Sequence, residues 1–274
     1  MMKRKVIKLA QQTLVVSLPA NWCRANNVIK GAEVIVEPIG SDIHIRTTMP
    51  RDRVLTATAH HPLLAWRIVS SAYKAGYDEL VLRVTPVSKE VILKELEDLT
   101  GYELVHDNGD QITIRNIAPL AAHERIVIEQ RIWFTILDMA QRLETETKPA
   151  LEHAERVTDK LSNTCKRILA LQAPIDTAFL LSEYAIVREL EQLADVYAKL
   201  PTLPAKQLKP LHDALSALHA LRMKPSENAL LAYHQALPDT VPLSLDYLKE
   251  KIKDLAGPVI TSYLHKTLLT PTTP

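Results

Sequence analysis

The spacing of apolar positions along the chain changes character twice. Between residues 5 and 47 it alternates with period two: Leu14, Val16 and Leu18, then Val34, Val36 and Pro38, mark half-buried strands. The segments KVIKL, TLVVSL, AEVIVEPI and DIHIRT are read as four short strands, with PANWCRANN as one helix between the second and third. Pro19 suits that helix's first turn, and Lys30-Gly31 and Gly40-Ser41-Asp42 supply turn chemistry. From Arg53 to Ile117 strands and helices alternate. RVLTATA, DELVLRV, YELVHD and QITIRNI are strands, PLLAWRIVSSAYKAG and SKEVILKELEDLTG are helices, and Asn108-Gly109 is a hairpin turn.

Beyond about residue 119 the period is helical. Ile186, Leu190, Leu193, Tyr197 and Leu200 form a seam spaced four, three, four, three, as an antiparallel bundle requires. Prolines near 149, 174, 201–210, 225 and 238–242 are expected to separate the helices, and Pro258 to kink or end the last one. The expected domains are therefore residues 1–48, 49–117 and 118–274.

Charge sharpens this division. The net formal charge is only +1, yet Lys3, Arg4, Lys5, Lys8, Arg24 and Lys30 all precede the first acid, Glu33, so residues 1–32 carry +6 and the remainder −5. A segment of fewer than about 50 residues rarely buries enough surface alone without a metal, a disulfide or a second chain. Pairing with another copy is the expected remedy. The two cysteines, Cys23 and Cys165, share no chelating spacing, and small core roles in a reducing cytoplasm are expected. No uncharged apolar run is long enough to span a bilayer, and the N-terminal stretch, interrupted by Lys8, Gln11 and Gln12, is not read as an export leader.

Three acidic pairs stand four residues apart in the helical region: Glu155/Asp159, Glu191/Asp195 and Glu250/Asp254. Each pair puts like charges on one helix face, a penalty that a bound cation would reverse. Oxygen donors of this kind suit hard ions. With 18 Glu and 14 Asp in 274 residues, chance alone supplies about one such spacing. Four occur, the fourth being Glu103/Asp107 in an expected strand, so spacing by itself favours a solvated polar face over a metal site. No Gly-rich phosphate loop, nucleophile elbow or Glu-x-x-His pair is present, and no enzymatic function is expected. Trp22, Trp66 and Trp133 are expected to pack in cores, and His60-His61 to cap or precede a helix.

HAERVTDKLSNTCKRIL, VRELEQLADVYAKL and YLKEKIKDLAG resemble the Glu-x-x-x-Asp helices of PhoU-family proteins. AYKAGYDELVL with LTGYELVHDNGDQITI is similar to the module that joins an AbrB hairpin to a PhoU bundle in archaeal-type regulators, and KRKVIKLAQQTLVVSLPANWCRANNVIKGAEVIVEPIGSDI resembles the SpoVT/AbrB swapped hairpin. The resemblance implies a multidomain, mainly α protein: an AbrB-like DNA-binding and dimerisation domain, a small α/β module and a PhoU-like helical bundle. It implies a cytoplasmic phosphate-uptake regulator of transcription, homodimeric through its hairpin. Lys3, Arg4, Lys5, Lys8 and Arg24 are then the DNA-binding candidates, with Arg4 and Arg24 for base readout. Glu155, Asp159, Glu191, Asp195, Glu250 and Asp254 are the candidate ligands of divalent or ferric ions. The part after residue 201 is shorter than a second PhoU repeat, which weakens the third pair's claim. The alternative is an adaptor that dimerises without DNA and docks on a phosphate transporter or a signalling kinase. An antitoxin-like regulator would need a long disordered tail in place of the bundle.

Overall fold

The computed structural model describes every residue except 1–3, 10–12, 40–41, 48–52, 119, 122, 144, 146–147, 173–176 and 270–274. It is mainly helical and divides after Asp52 into two compact units.

The first unit holds two antiparallel hairpins. β1 (Val6–Lys8) pairs with β2 (Leu14–Val16), and β3 (Ile35–Ile39) with β4 (Asp42–Arg46), with α1 (Ala20–Ala25) between them in sequence. Pro19 is the residue preceding α1, and Asn27, with φ of 55°, ends it in the left-handed conformation that Asn tolerates. The turn expected at Gly40-Ser41 lies outside the described residues, as do Lys3 and Pro174. The expected half-burial of these strands does not hold within one chain. Val6, Ile7, Leu14, Val16, Val36 and Ile43 are all at least 50% exposed, and α1 has no buried residue. Cys23 and Trp22 are half-buried rather than core residues. The physical reason is that two-stranded ribbons offer no second layer to cover their apolar face.

The second unit, residues 53–274, contains the α/β part and the helical part together, each with its own hydrophobic core. β5 (Val54–Ala59), β6 (Glu79–Val84), β7 (Tyr102–Asp107) and β8 (Gln111–Asn116) form one sheet in the order β5-β6-β8-β7, parallel only between β5 and β6. Leu80, Leu82, Ile112 and Ile114 alternate onto the face packed with α2 (Pro62–Lys74) and α3 (Pro86–Leu96). His61 caps α2, its Nδ1 accepting from the Leu63 amide at 3.2 Å. Trp66 stands at the half-buried rim, its indole N–H donating to Glu95, so of the three tryptophans only Trp133 is fully buried.

The helical part runs α4 (Glu124–Arg142), α5 (Lys148–Leu171), α6 (Thr177–Lys199), α7 (Ala205–Met223), α8 (Glu227–Ala236) and α9 (Asp246–Leu269). Ile186, Leu190, Leu193 and Tyr197 are buried as the seam predicts, whereas Leu200 is half-buried at its end. The break expected over 201–210 falls between Lys199 and Ala205, with Pro210 already inside α7, and Pro258 does not end the last helix, since α9 continues through it. A helical proline forfeits one hydrogen bond, but Leu208 and Leu211 around Pro210, and Leu255 and Val259 around Pro258, are buried, and their packing offsets the loss. No helix among the described residues is long and apolar enough to cross a membrane.

Arg167 of α5 joins the two cores of this unit. Its guanidinium donates to the Tyr73 and Tyr77 carbonyls at 3.1 and 2.7 Å and to Asp78 Oδ1 at 2.8 Å, between the rings of Tyr73 and Tyr102. Thr164 reaches Thr100, and Lys160 donates to the Glu97 carbonyl, from the same face of α5.

Candidate functional site

Helices α5 and α6 are linked through residues 172–176 and run antiparallel, so two Glu-x-x-x-Asp pairs read in opposite directions meet as complements. Glu155 hydrogen-bonds with Asp195, and Asp159 lies within the fields of Glu155, Glu191 and Asp195. Four carboxylates from two helices are thus gathered along one seam. Burial, followed by those three neighbouring charges, pushes the Asp159 carboxyl up to about 7, against the pull of Lys166. Burial and then Asp195 likewise raise Glu155. Asp159 Oδ1 is buried with no hydrogen-bond partner among the described residues. Two cations already serve the cluster: Lys166 ion-pairs with Glu191, and Lys199 lies 3.4 Å from Asp195.

The third pair stands apart. Glu250 accepts from Lys253 at 2.7 Å and Asp254 from Lys251 at 2.9 Å, and neither is among the charges that shift Asp159. As they stand, no three His, Cys, Asp or Glu side chains among the described residues converge closely enough to chelate an ion. The donor chemistry of Glu155, Asp159, Glu191 and Asp195 nevertheless fits a hard cation, which would relieve the mutual repulsion that lifts Asp159 and engage its unpartnered oxygen.

Arg4, Lys5, Lys8 and Arg24 are all exposed on the first unit. Arg4 and Lys5 precede β1, Lys8 ends it, and Arg24 sits in the last turn of α1, donating to Asn21 Oδ1 at 2.6 Å.

Sequence reasoning missed two charged groups. Lys166 follows Cys165 in a stretch that reads as core, and its position seven residues after Asp159 was the available signal. The second group is a buried network across four helices. Arg125 and Arg222 both bind Glu129 and Glu183 at 2.6–3.0 Å, and Ser262 donates to Glu183 at 2.8 Å. Burial would raise the Glu183 carboxyl, but Arg222 and then Arg125 outweigh it and hold it down at about 2. Only the Arg125/Glu129 spacing of four hints at this locally; the rest is assembled by the fold. Comparison with protein-family models, with curated proteins and with solved structures finds no match for this chain.

Proposed function

We propose that the chain is a dimeric, cytoplasmic, non-enzymatic regulator of the phosphate-uptake type, with an AbrB-like DNA-binding unit and a PhoU-like bundle that takes a metal ion or a phosphate-linked signal. The observation that carries this reading is the first unit itself. It concentrates six cations ahead of its first acid, and its apolar strand residues are exposed in the single chain. A second copy covering those strands would complete a core and double the positive charge offered to a duplex.

In this reading Arg4, Lys5 and Lys8 contact phosphates, displacing condensed counterions, while Arg4 and Arg24 are the candidates for bidentate guanine recognition. The α5/α6 carboxylates Glu155, Asp159, Glu191 and Asp195 hold the effector cation, which supplies charge neutralisation. Glu191 is then released from Lys166, beside which Lys74 of the α/β part also lies. An effector changes DNA affinity only to the extent that it binds two conformations differently.

The test is anisotropy of labelled, pooled genomic DNA fragments with the full chain and with a Lys5→Ala/Lys8→Ala/Arg24→Ala variant, across a salt series. Binding that falls steeply with salt, and that the triple substitution weakens while flattening the salt slope, supports the DNA reading. Equal binding by both, or none by either, removes it and leaves the adaptor, whose docking on a transporter or kinase does not use these charges.

A further inference from the structure

The exposed face of α4 has an unusual composition for a solvated helix. Phe134, one of only two phenylalanines in the chain, is 60% exposed, and Val127 is 66% exposed on the same stripe. They border a shallow groove of about 460 Å³ that also includes Gln130, Arg131, Thr135 and Asp138. The ring of His219 supports Phe134 edge-on at 5.5 Å, which fixes the phenyl group while leaving its outer face open.

The order of charges on this stripe is self-complementary. Arg131 lies three residues before Phe134 and Asp138 four residues after it, so the apolar anchor sits midway between a cation and an anion. A two-fold axis beside Phe134 sets α4 antiparallel to the α4 of a second copy. Each Arg131 then faces the other copy's Asp138, about 5 Å along the helix on either side of stacked phenyl rings. Parallel packing would oppose like charges. Asp138 is already oriented on this face by Arg142 at 2.7 Å, whereas Arg131 has no carboxylate partner among the described residues.

We infer that α4 is a self-association surface of the bundle, on which two copies of this chain pack antiparallel about Phe134 with reciprocal Arg131–Asp138 pairs. This goes beyond the hairpin dimer and requires neither DNA nor a metal ion. Two interfaces per chain either close within one dimer or link dimers into larger assemblies.

Disulfide trapping in the full chain tests it. Thr135→Cys in a Cys23→Ser background places a thiol at the axis; the remaining Cys165 is buried. The control is Leu231→Cys on α8, at a site more exposed than the half-buried Thr135. Mild oxidation is expected to cross-link the α4 thiol well ahead of the control. Adding Arg131→Asp should slow trapping about tenfold by opposing like charges, and Arg131→Asp with Asp138→Arg should restore it. Trapping no faster than the control, or no rescue by the charge exchange, overturns the inference. Neither result bears on the salt-dependent DNA binding of the first unit.

Discussion

At the scale of single residues, the consequential charges of this chain are the buried ones. Arg222 lies between Glu129 and Glu183, whose side chains are 3% and 0% exposed. Replacing both partners of a buried pair by apolar groups is often tolerated, but removing one strands the other. Arg222→Met leaves two carboxylates sharing Arg125 alone and is expected to cost about 3–5 kcal/mol, read from the urea midpoint at constant slope. A loss below about 1 kcal/mol would show that the network tolerates a missing guanidinium. Beyond the i,i+4 spacing of Arg125 and Glu129, none of this was legible locally. Glu129, Glu183 and Arg222 lie far apart in sequence, and nothing in a helix's own periodicity marks a charged position as interior when the partners come from three other helices.

At the scale of elements, the antiparallel α5/α6 pair turns two unremarkable spacings into one strained site. Asp159 has its folded pKa raised from 3.8 to about 7, so the folded chain binds a proton more tightly than the unfolded one between those values. Stability from this group is therefore present at low pH and is lost as pH rises from about 4 to 7. Asp159→Asn should leave the melting temperature unchanged near pH 4 and raise it at pH 8. The expected rise is roughly 2–4 °C, about 1 kcal/mol once solvent screening of a partly exposed group is allowed for. Millimolar magnesium or manganese should stabilise the parent chain at pH 8 and have a smaller effect on the variant, a difference that differential scanning fluorimetry resolves. The two acidic pairs were readable because helical spacing alone put each on one face, but their convergence was not. It depends on the antiparallel register that sets Glu155 against Asp195, whereas Glu250 and Asp254 belong to α9 and pair with lysines of that helix.

At the scale of the whole molecule, the two units solve the burial problem differently. The second carries two cores, whereas no described residue of the first is buried. Hydrogen-exchange protection of residues 13–39 is expected to rise with protein concentration, because a second copy would cover the exposed apolar side chains and steady the two short hairpin ladders. Protection of β6 and β8 should not change. Uniform, concentration-independent protection would mean that the hairpins are stable without a second copy. The order of strands and helices in residues 53–117 was legible from period and turn chemistry, down to the Asn108-Gly109 hairpin. The union of the α/β and helical parts into one unit was not. It hangs on Arg167, a residue that by type belongs to the surface and that here fills the space between Tyr73 and Tyr102.

That junction also bears on which peptide bonds the molecule can do without. The α/β part is held to α5 by side chains: Arg167 on two carbonyls and Asp78, Thr164 on Thr100, Lys160 on Glu97. The stretch joining β8 to α4 precedes α5 altogether. Severing the backbone after Leu120 should therefore yield two polypeptides that, when co-expressed, purify together as a stoichiometric pair. Arg167→Ala should let them separate. The covalent link there contributes proximity, and the grip belongs to one face of α5, with Arg167 at its centre more than forty residues downstream.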